Sequence, residues 1–163
     1  MAPARRVIHD ARQTAKRLSV DLHGFDAIGR GFQRTYRRAR RALQRARIGG
    51  DPKDFHAFRT PSKRHLYQLR LFEGIWPELL SAHVGEVDRL GELLGEHHDL
   101  SLLAEELTRL LDASEREPLE KTIAKRERKL EKQILALGAR CFAERPRDIT
   151  RRFARYYALA KRD

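Results

Sequence analysis

The chain has 163 residues, 35 of them Lys or Arg against 23 Asp or Glu, for a formal net charge of +12 at pH 7. That is one domain's length, and a hydrophobic share of 40% is enough for a core if the apolar residues are well placed. No apolar run approaches the roughly 18 residues of a membrane span, the basic stretch Met1 to Lys16 lacks the apolar segment of a secretory signal, and the one cysteine, Cys141, makes neither an internal disulfide nor a metal framework.

The pattern is helical almost throughout, with no alternation long enough for a sheet. A first helix is expected over about Arg5 to Leu22, interrupted by Gly24 and then by the Gly29/Gly31 region. In the second, Phe32, Tyr36, Ala39, Leu43 and Ala46 recur at i, i+4, i+7, i+11 and i+14, which is one apolar stripe. Arg34, Arg37, Arg38, Arg41 and Arg45 fill another, and Gly49-Gly50 closes the helix. Asp51-Pro52 reads as the N-cap and first residue of a third helix, which ends near Phe72. Pro61 inside it either kinks that helix or, with Thr60, restarts it. A fourth helix opens at Trp76-Pro77 and carries Leu80, Val84, Val87, Leu90 and Leu94; either Gly95 ends it or it runs on to Leu111. A fifth spans about Glu117 to Phe142, with Leu119, Ile123, Leu130, Ile134, Leu137 and Cys141 on one side. After Pro146 a last helix carries Ile149, Phe153, Tyr156 and Ala160. No linker divides the chain. The fold class is all-α, an antiparallel helical bundle of about six helices.

An internal echo stands out. His9, Arg12, Lys16 and Arg17 share the frame H-x-x-R-x-x-x-K-R with His56, Arg59, Lys63 and Arg64. On a helix the His, Arg and Lys of each copy fall within an arc of about 60°. In the second copy Tyr67 and Arg70 extend the arc, and the apolar stripe Phe55, Phe58, Leu66, Leu69 lies beside it. The basic stripe should therefore flank a bundle seam. A row of cations in a groove suits an extended anion: Arg offers forked donors, Lys a mobile point charge, His a charge that depends on pH. The chain's pI of about 10.5 widens the field to nucleic acid, an anionic membrane or polyphosphate. The arginine stripe of the second helix is less specific. Lys121, Lys125, Arg128 and Lys132 are interleaved with Glu and read as a salt-bridged outer face. Arg147, Arg151 and Arg155 form a further basic stripe.

His97-His98-Asp99 raises a metal-dependent phosphohydrolase, which would need more ligands from neighbouring helices. The plainer expectation is one histidine packed in a helix seam and Asp99 capping or pairing with a base. There is no G-x-S-x-G and no Gly-rich phosphate loop, and Cys141 and Trp76 read as packing residues. A nucleic-acid binder would account for the charge, but neither an aromatic platform nor a helix-turn-helix pattern accompanies it. A lone thiol fits a reducing, cytoplasmic setting.

These residues resemble the conserved-histidine α-helical domain family, CHAD. The resemblance is carried by Phe25 to Leu43 with its run of arginines, by Asp54-Phe-His56-Ala-Phe-Arg59 through Lys63 and Leu66-Tyr67-Gln-Leu-Arg70, by Trp76-Pro77, by Leu90-Gly-Glu-Leu-Leu-Gly95-Glu-His-His98-Asp99-Leu100, and by Gly138 to Pro146 with the basic, aromatic end. It covers about Phe25 to Lys161. Thr60-Pro61-Ser62 stands where the family carries more bases. Family domains are usually two bundles, each with a signature helix, so residues 1–24 look like a remnant of the first signature helix and 25–163 like a second-half bundle.

The resemblance implies non-catalytic binding of inorganic polyphosphate, with no cofactor and no metal, in the cytoplasm or on polyphosphate granules. It also implies a triphosphate-tunnel enzyme as a partner. The residues expected to bind phosphate are His9, Arg12, Lys16, Arg37, Arg41, His56, Arg59, Lys63 and Arg70. A shortened first bundle would leave an apolar face open, and a homodimer is the expected cover.

Overall fold

The computed structural model describes residues 24–161. The helix expected over Arg5 to Leu22, and with it the first copy of the motif, lies outside the described residues. Five helices follow in chain order: α1 (Phe25–Gly49), α2 (Pro52–Phe72), α3 (Pro77–Leu110), α4 (Ala113–Cys141) and α5 (Pro146–Ala160), with one 3₁₀ turn (Glu73–Ile75) before α3. No strand occurs among the described residues. The connections are short, and α1 to α4 run antiparallel in succession, while α5 continues in the direction of α4 and, like it, lies antiparallel to α1. α1 packs on α2, α2 on α3 and α3 on α4; α4 also reaches α1, and α5 lies against α1. Among the described residues no helix is long and apolar enough to cross a membrane.

The helix ends follow from local chemistry. α1 stops at Gly50, whose φ of 64° is left-handed and whose N–H bonds the carbonyl of Ala46. Asp51 then caps α2 by accepting from the Lys53 N–H at 2.8 Å. One expectation changes and two open alternatives are decided. Gly29 and Gly31 lie within α1 and do not break it; the Phe25 ring lies over Gly29 so closely that an added Cβ would come within 2.7 Å of it. α2 runs through Pro61 unbroken. The carbonyl that Pro61 leaves without a helical partner belongs to Ala57, an exposed position open to water. α3 likewise continues through Gly95, to Leu110.

The expected apolar stripes form the core. Phe32, Tyr36, Ala39, Leu43 and Ala46 of α1 are buried, as are Phe55, Phe58, Leu66 and Leu69 of α2 and Leu80 to Leu94 of the α3 stripe. On α4 the stripe is buried from Ile123 to Cys141, but Leu119 is exposed. The reason lies in α3: none of its residues after His97 is buried, so the tip of the α3/α4 pair has nothing beneath it. Burial pushes the Cys141 thiol up to about 11, which makes it an inert packing residue. Trp76 is half exposed and packs edge-on against Tyr156 at 5.3 Å. Ala160, expected on the α5 stripe, is exposed.

The centre is aromatic and contains one histidine. His65 is fully buried, with the rings of Phe32, Tyr36 and Phe142 at 5.1, 5.1 and 5.5 Å. Neither of its ring nitrogens has a hydrogen-bond partner, and Nε2 of His83 is also buried without one. Beside them the Tyr36 hydroxyl donates to the carbonyl of Glu144 at 3.2 Å, as does Arg40 at 2.9 Å, while Arg152 pairs with the Glu144 carboxylate. That cluster fastens the turn between α4 and α5 onto α1.

Burial, reinforced by the nearby His83, pushes His65 down to about 3. The folded protein therefore keeps His65 neutral where the unfolded chain protonates it. Its contribution to stability is complete above about pH 6.5 and is lost as the pH falls from there toward 3. Urea unfolding should show the free energy of unfolding falling steeply over that window, by an amount on the order of several kcal/mol. His65→Leu should flatten the slope and raise stability at neutral pH; an unchanged slope would show that other groups carry the acid sensitivity.

Candidate functional site

The buried face of α2 fixes its rotation, which leaves His56, Arg59, Lys63, Tyr67 and Arg70 along the flank toward α3. Two contacts mark the register. Nδ1 of His56 lies 3.2 Å from Nδ1 of His98, with the rings 4.5 Å apart. Arg70 donates to Asp88 at 2.8 Å. Asp88, Gly91, Gly95 and His98 follow i, i+3, i+7 and i+10, so they share one stripe of α3. The middle of that stripe has no side chain, and a Cβ placed on Gly91 or Gly95 would meet nothing within 4 Å. The seam is thus a groove with a basic wall on α2 and a glycine floor on α3. At its His56 end it opens into a hollow of about 240 Å³ that Lys53, His98, Ser101 and Glu105 also line.

The wall is charged and partly unsatisfied. Arg59 and Lys63 are half-buried, and no carboxylate pairs with either among the described residues. Nε of Arg59 is buried with no hydrogen-bond partner. A buried guanidinium N–H without an acceptor is costly, and an anionic oxygen in the groove would satisfy it. Arg70 already has Asp88, so its charge is partly neutralised. The His56–His98 hydrogen bond needs at least one ring nitrogen acting as acceptor.

The nine expected ligands do not share one groove. His56, Arg59, Lys63 and Arg70 line the α2/α3 seam together. Arg41 lies on the other flank of α2, in a cleft of about 370 Å³ between α1 and α2 that Arg38, Arg45 and Arg64 also line. Arg37 faces neither groove; it donates to Gln33, whose amide in turn reaches the carbonyl of Pro146 at the start of α5. His9, Arg12 and Lys16 lie outside the described residues.

Sequence reasoning left out His98 as the partner of His56, and also the glycine floor. The i, i+3, i+7, i+10 spacing of Asp88, Gly91, Gly95 and His98 was the available signal. His97, the neighbour of His98, points into the α3/α4 seam instead. It is buried against Phe55, with Nε2 3.5 Å from Glu131. Asp99 is exposed and, contrary to expectation, pairs with no base among the described residues. Among the described residues no three His, Cys, Asp or Glu side chains gather as a metal site would require.

A helical bundle with a basic, histidine-bearing seam defines the class: an all-α domain with a cationic groove. The model of one family, the CHAD domain, matches residues 4–108, and the chain belongs to that family. The match takes in both copies of the H-x-x-R-x-x-x-K-R frame and ends within α3, so α4 and α5 lie beyond it. CHAD domains are in general polyphosphate-binding domains without catalytic activity. No curated protein and no solved structure matches the chain.

The glycine floor makes a stability prediction. Gly91→Ala adds a methyl into open space within a helix and should raise stability by about 0.5–1 kcal/mol. Gly138→Ala should lower it, because the new Cβ would stand 2.9 Å from Leu43 Cδ1 and 3.3 Å from the Phe58 ring, both buried. Thermal melts of the two variants check this; a fall for Gly91→Ala would mean that the floor is covered.

Proposed function

We propose that this protein binds inorganic polyphosphate, without catalysis, along the α2/α3 groove. The observation that carries the reading is the half-buried Arg59–Lys63 wall, with an unsatisfied Arg59 Nε, over a floor of two glycines. A phosphate chain is narrow, uniformly charged and free of bases. It fits a floor without side chains and draws on Arg and Lys for all its contacts. Membership of the CHAD family supports the same ligand. The biological setting that follows is the cytoplasm, with polyphosphate granules as the place where such a protein would concentrate and a triphosphate-tunnel enzyme as a candidate partner. Nucleic acid would use the same charge, but Tyr67 is the one Phe, Tyr or Trp on the basic flank, which falls short of the series of aromatic platforms on which successive bases stack.

A competition titration at matched salt compares long-chain polyphosphate with single-stranded RNA at equal phosphate concentration. Polyphosphate should win by about ten-fold or more, about 1.4 kcal/mol, and His56→Ala/Arg59→Ala/Lys63→Ala should lose that margin. Equal binding, untouched by the triple variant, would refute the groove.

The histidine pair can be tested by itself. Its rings offer nitrogens to an anion at one end of the groove, so His56→Gln/His98→Gln should weaken polyphosphate binding at fixed pH and salt. Unchanged affinity would remove the pair from the binding mechanism while leaving the arginine and lysine contacts.

A further inference from the structure

The cleft on the other flank of α2 has the makings of a site in its own right. Arg38, Arg41 and Arg45 stand at i, i+3 and i+7 on α1, which places three guanidinium groups along about 10 Å of one face. Arg64 reaches in from α2, and the hydroxyls of Thr35 and Thr60 line the same cleft, which is about 370 Å³ in volume. Between them lie only the small side chains of Ala42 and Ala57 and the ring of Pro61. The nearest carboxylate contact is Arg45 to Asp54, at 4.0 Å and largely exposed. Arg38, Arg41 and Arg64 have no ion pair among the described residues. Like charges at i, i+3 and i+4 destabilise a helix, so a bound anion would relieve α1 as well as fill the cleft.

Helix geometry keeps this cleft apart from the α2/α3 groove. Lys63 and Arg64 are adjacent in sequence but project about 100° apart around α2. Lys63 joins the glycine-floored groove and Arg64 the arginine cleft. The K-R pair of the motif thus serves two surfaces, separated by the body of the helix.

We infer that the α1/α2 cleft is a second, independent polyphosphate site, so that one molecule holds two phosphate-chain segments, one on each flank of α2. The inference rests on the polyphosphate reading proposed above. Its consequence is bridging: a protein with two such grooves cross-links long chains and gathers them, whereas a single groove only decorates them.

Three variants, each carrying three substitutions, test it by calorimetric titration with short-chain polyphosphate and by light scattering with long chains. They are Arg38→Ala/Arg41→Ala/Arg64→Ala in the cleft, His56→Ala/Arg59→Ala/Lys63→Ala in the groove, and Lys125→Ala/Arg128→Ala/Lys132→Ala on the outer face of α4. The last matches the cleft variant in charge removed. Circular dichroism confirms that each stays folded, and all the cleft residues replaced are exposed. The parent and the α4 variant should bind two short chains per protein and scatter with long ones. The cleft and groove variants should each bind one and scatter little.

If the cleft variant behaves like the α4 variant, the second site is overturned and the groove stands. If the parent binds one chain and both the groove and cleft variants lose it, the two surfaces form a single site and the inference is again overturned. If the groove variant behaves like the parent while the cleft variant binds nothing, the groove reading fails, the cleft is the sole site, and bridging is overturned.

Discussion

The burial of seven side chains along α2, from Phe55 to Phe72, fixes how that helix is turned. Apart from Ser62 and His65, which are buried with it, the polar residues of the helix must then stand on a flank or on the outer edge. With the core stripe directed at the aromatic centre, the α3 side receives His56, Arg59, Lys63 and Arg70, while the α1 side receives Ala57, Pro61 and Arg64. The packing that stabilises the bundle is therefore the same packing that arranges its charges. Rotation of α2 by one residue's worth, about 100°, would bury a cation and expose a phenylalanine, so the electrostatic layout is as rigid as the core.

Within that core, His65 is an unusual choice. A histidine of this shape fills space among Phe32, Tyr36 and Phe142, yet leaves two polar atoms without partners. The Tyr36, Arg40, Glu144 and Arg152 cluster nearby shows the contrasting solution, in which the buried hydroxyl and the guanidinium groups find acceptors. One region thus combines a satisfied network, which ties α5 and its turn to α1, with an unsatisfied ring that makes the same region sensitive to acid.

Periodicity made most of the fold legible. The stripes on α1 and α3 are apolar at helical spacing, and each is buried. Glycine and proline were harder to read, because their cost depends on surroundings. Gly29 makes room for the Phe25 ring, Pro61 lies half-buried in the α1/α2 cleft while the carbonyl it frees sits on exposed Ala57, and Gly91 and Gly95 are carried by the packing on either side of them. The site was half legible. A single helix's pattern shows that His56, Arg59 and Lys63 are aligned, but not which neighbour they face. The pairing of His56 with His98, and which neighbour Lys63 and Arg64 each face, depend on the order of helices around the bundle, which no local spacing encodes. Arg37 and Arg41, neighbours on the arginine-rich helix, were for that reason assigned to one groove although they point to different places.

The bareness of the α3/α4 tip has a further consequence. The 13 residues of α3 beyond His97 (98–110) and the first 10 of α4 (113–122) include no buried side chain. The α3 stretch, about 20 Å long, is tied to α4 by contacts such as Ser101 with Glu127, and each helix carries pairs of its own, such as Arg109 with Glu106 and Lys121 with Glu117. With so few buried contacts this segment should open more readily than the rest of the bundle, and its amide protons should exchange with solvent before those of the aromatic centre. Since Ser101 and Glu105 also line the hollow at the His56 end of the groove, the least protected part of the molecule adjoins one end of its proposed binding surface. A ligand seated there would be registered as slower exchange along the tip.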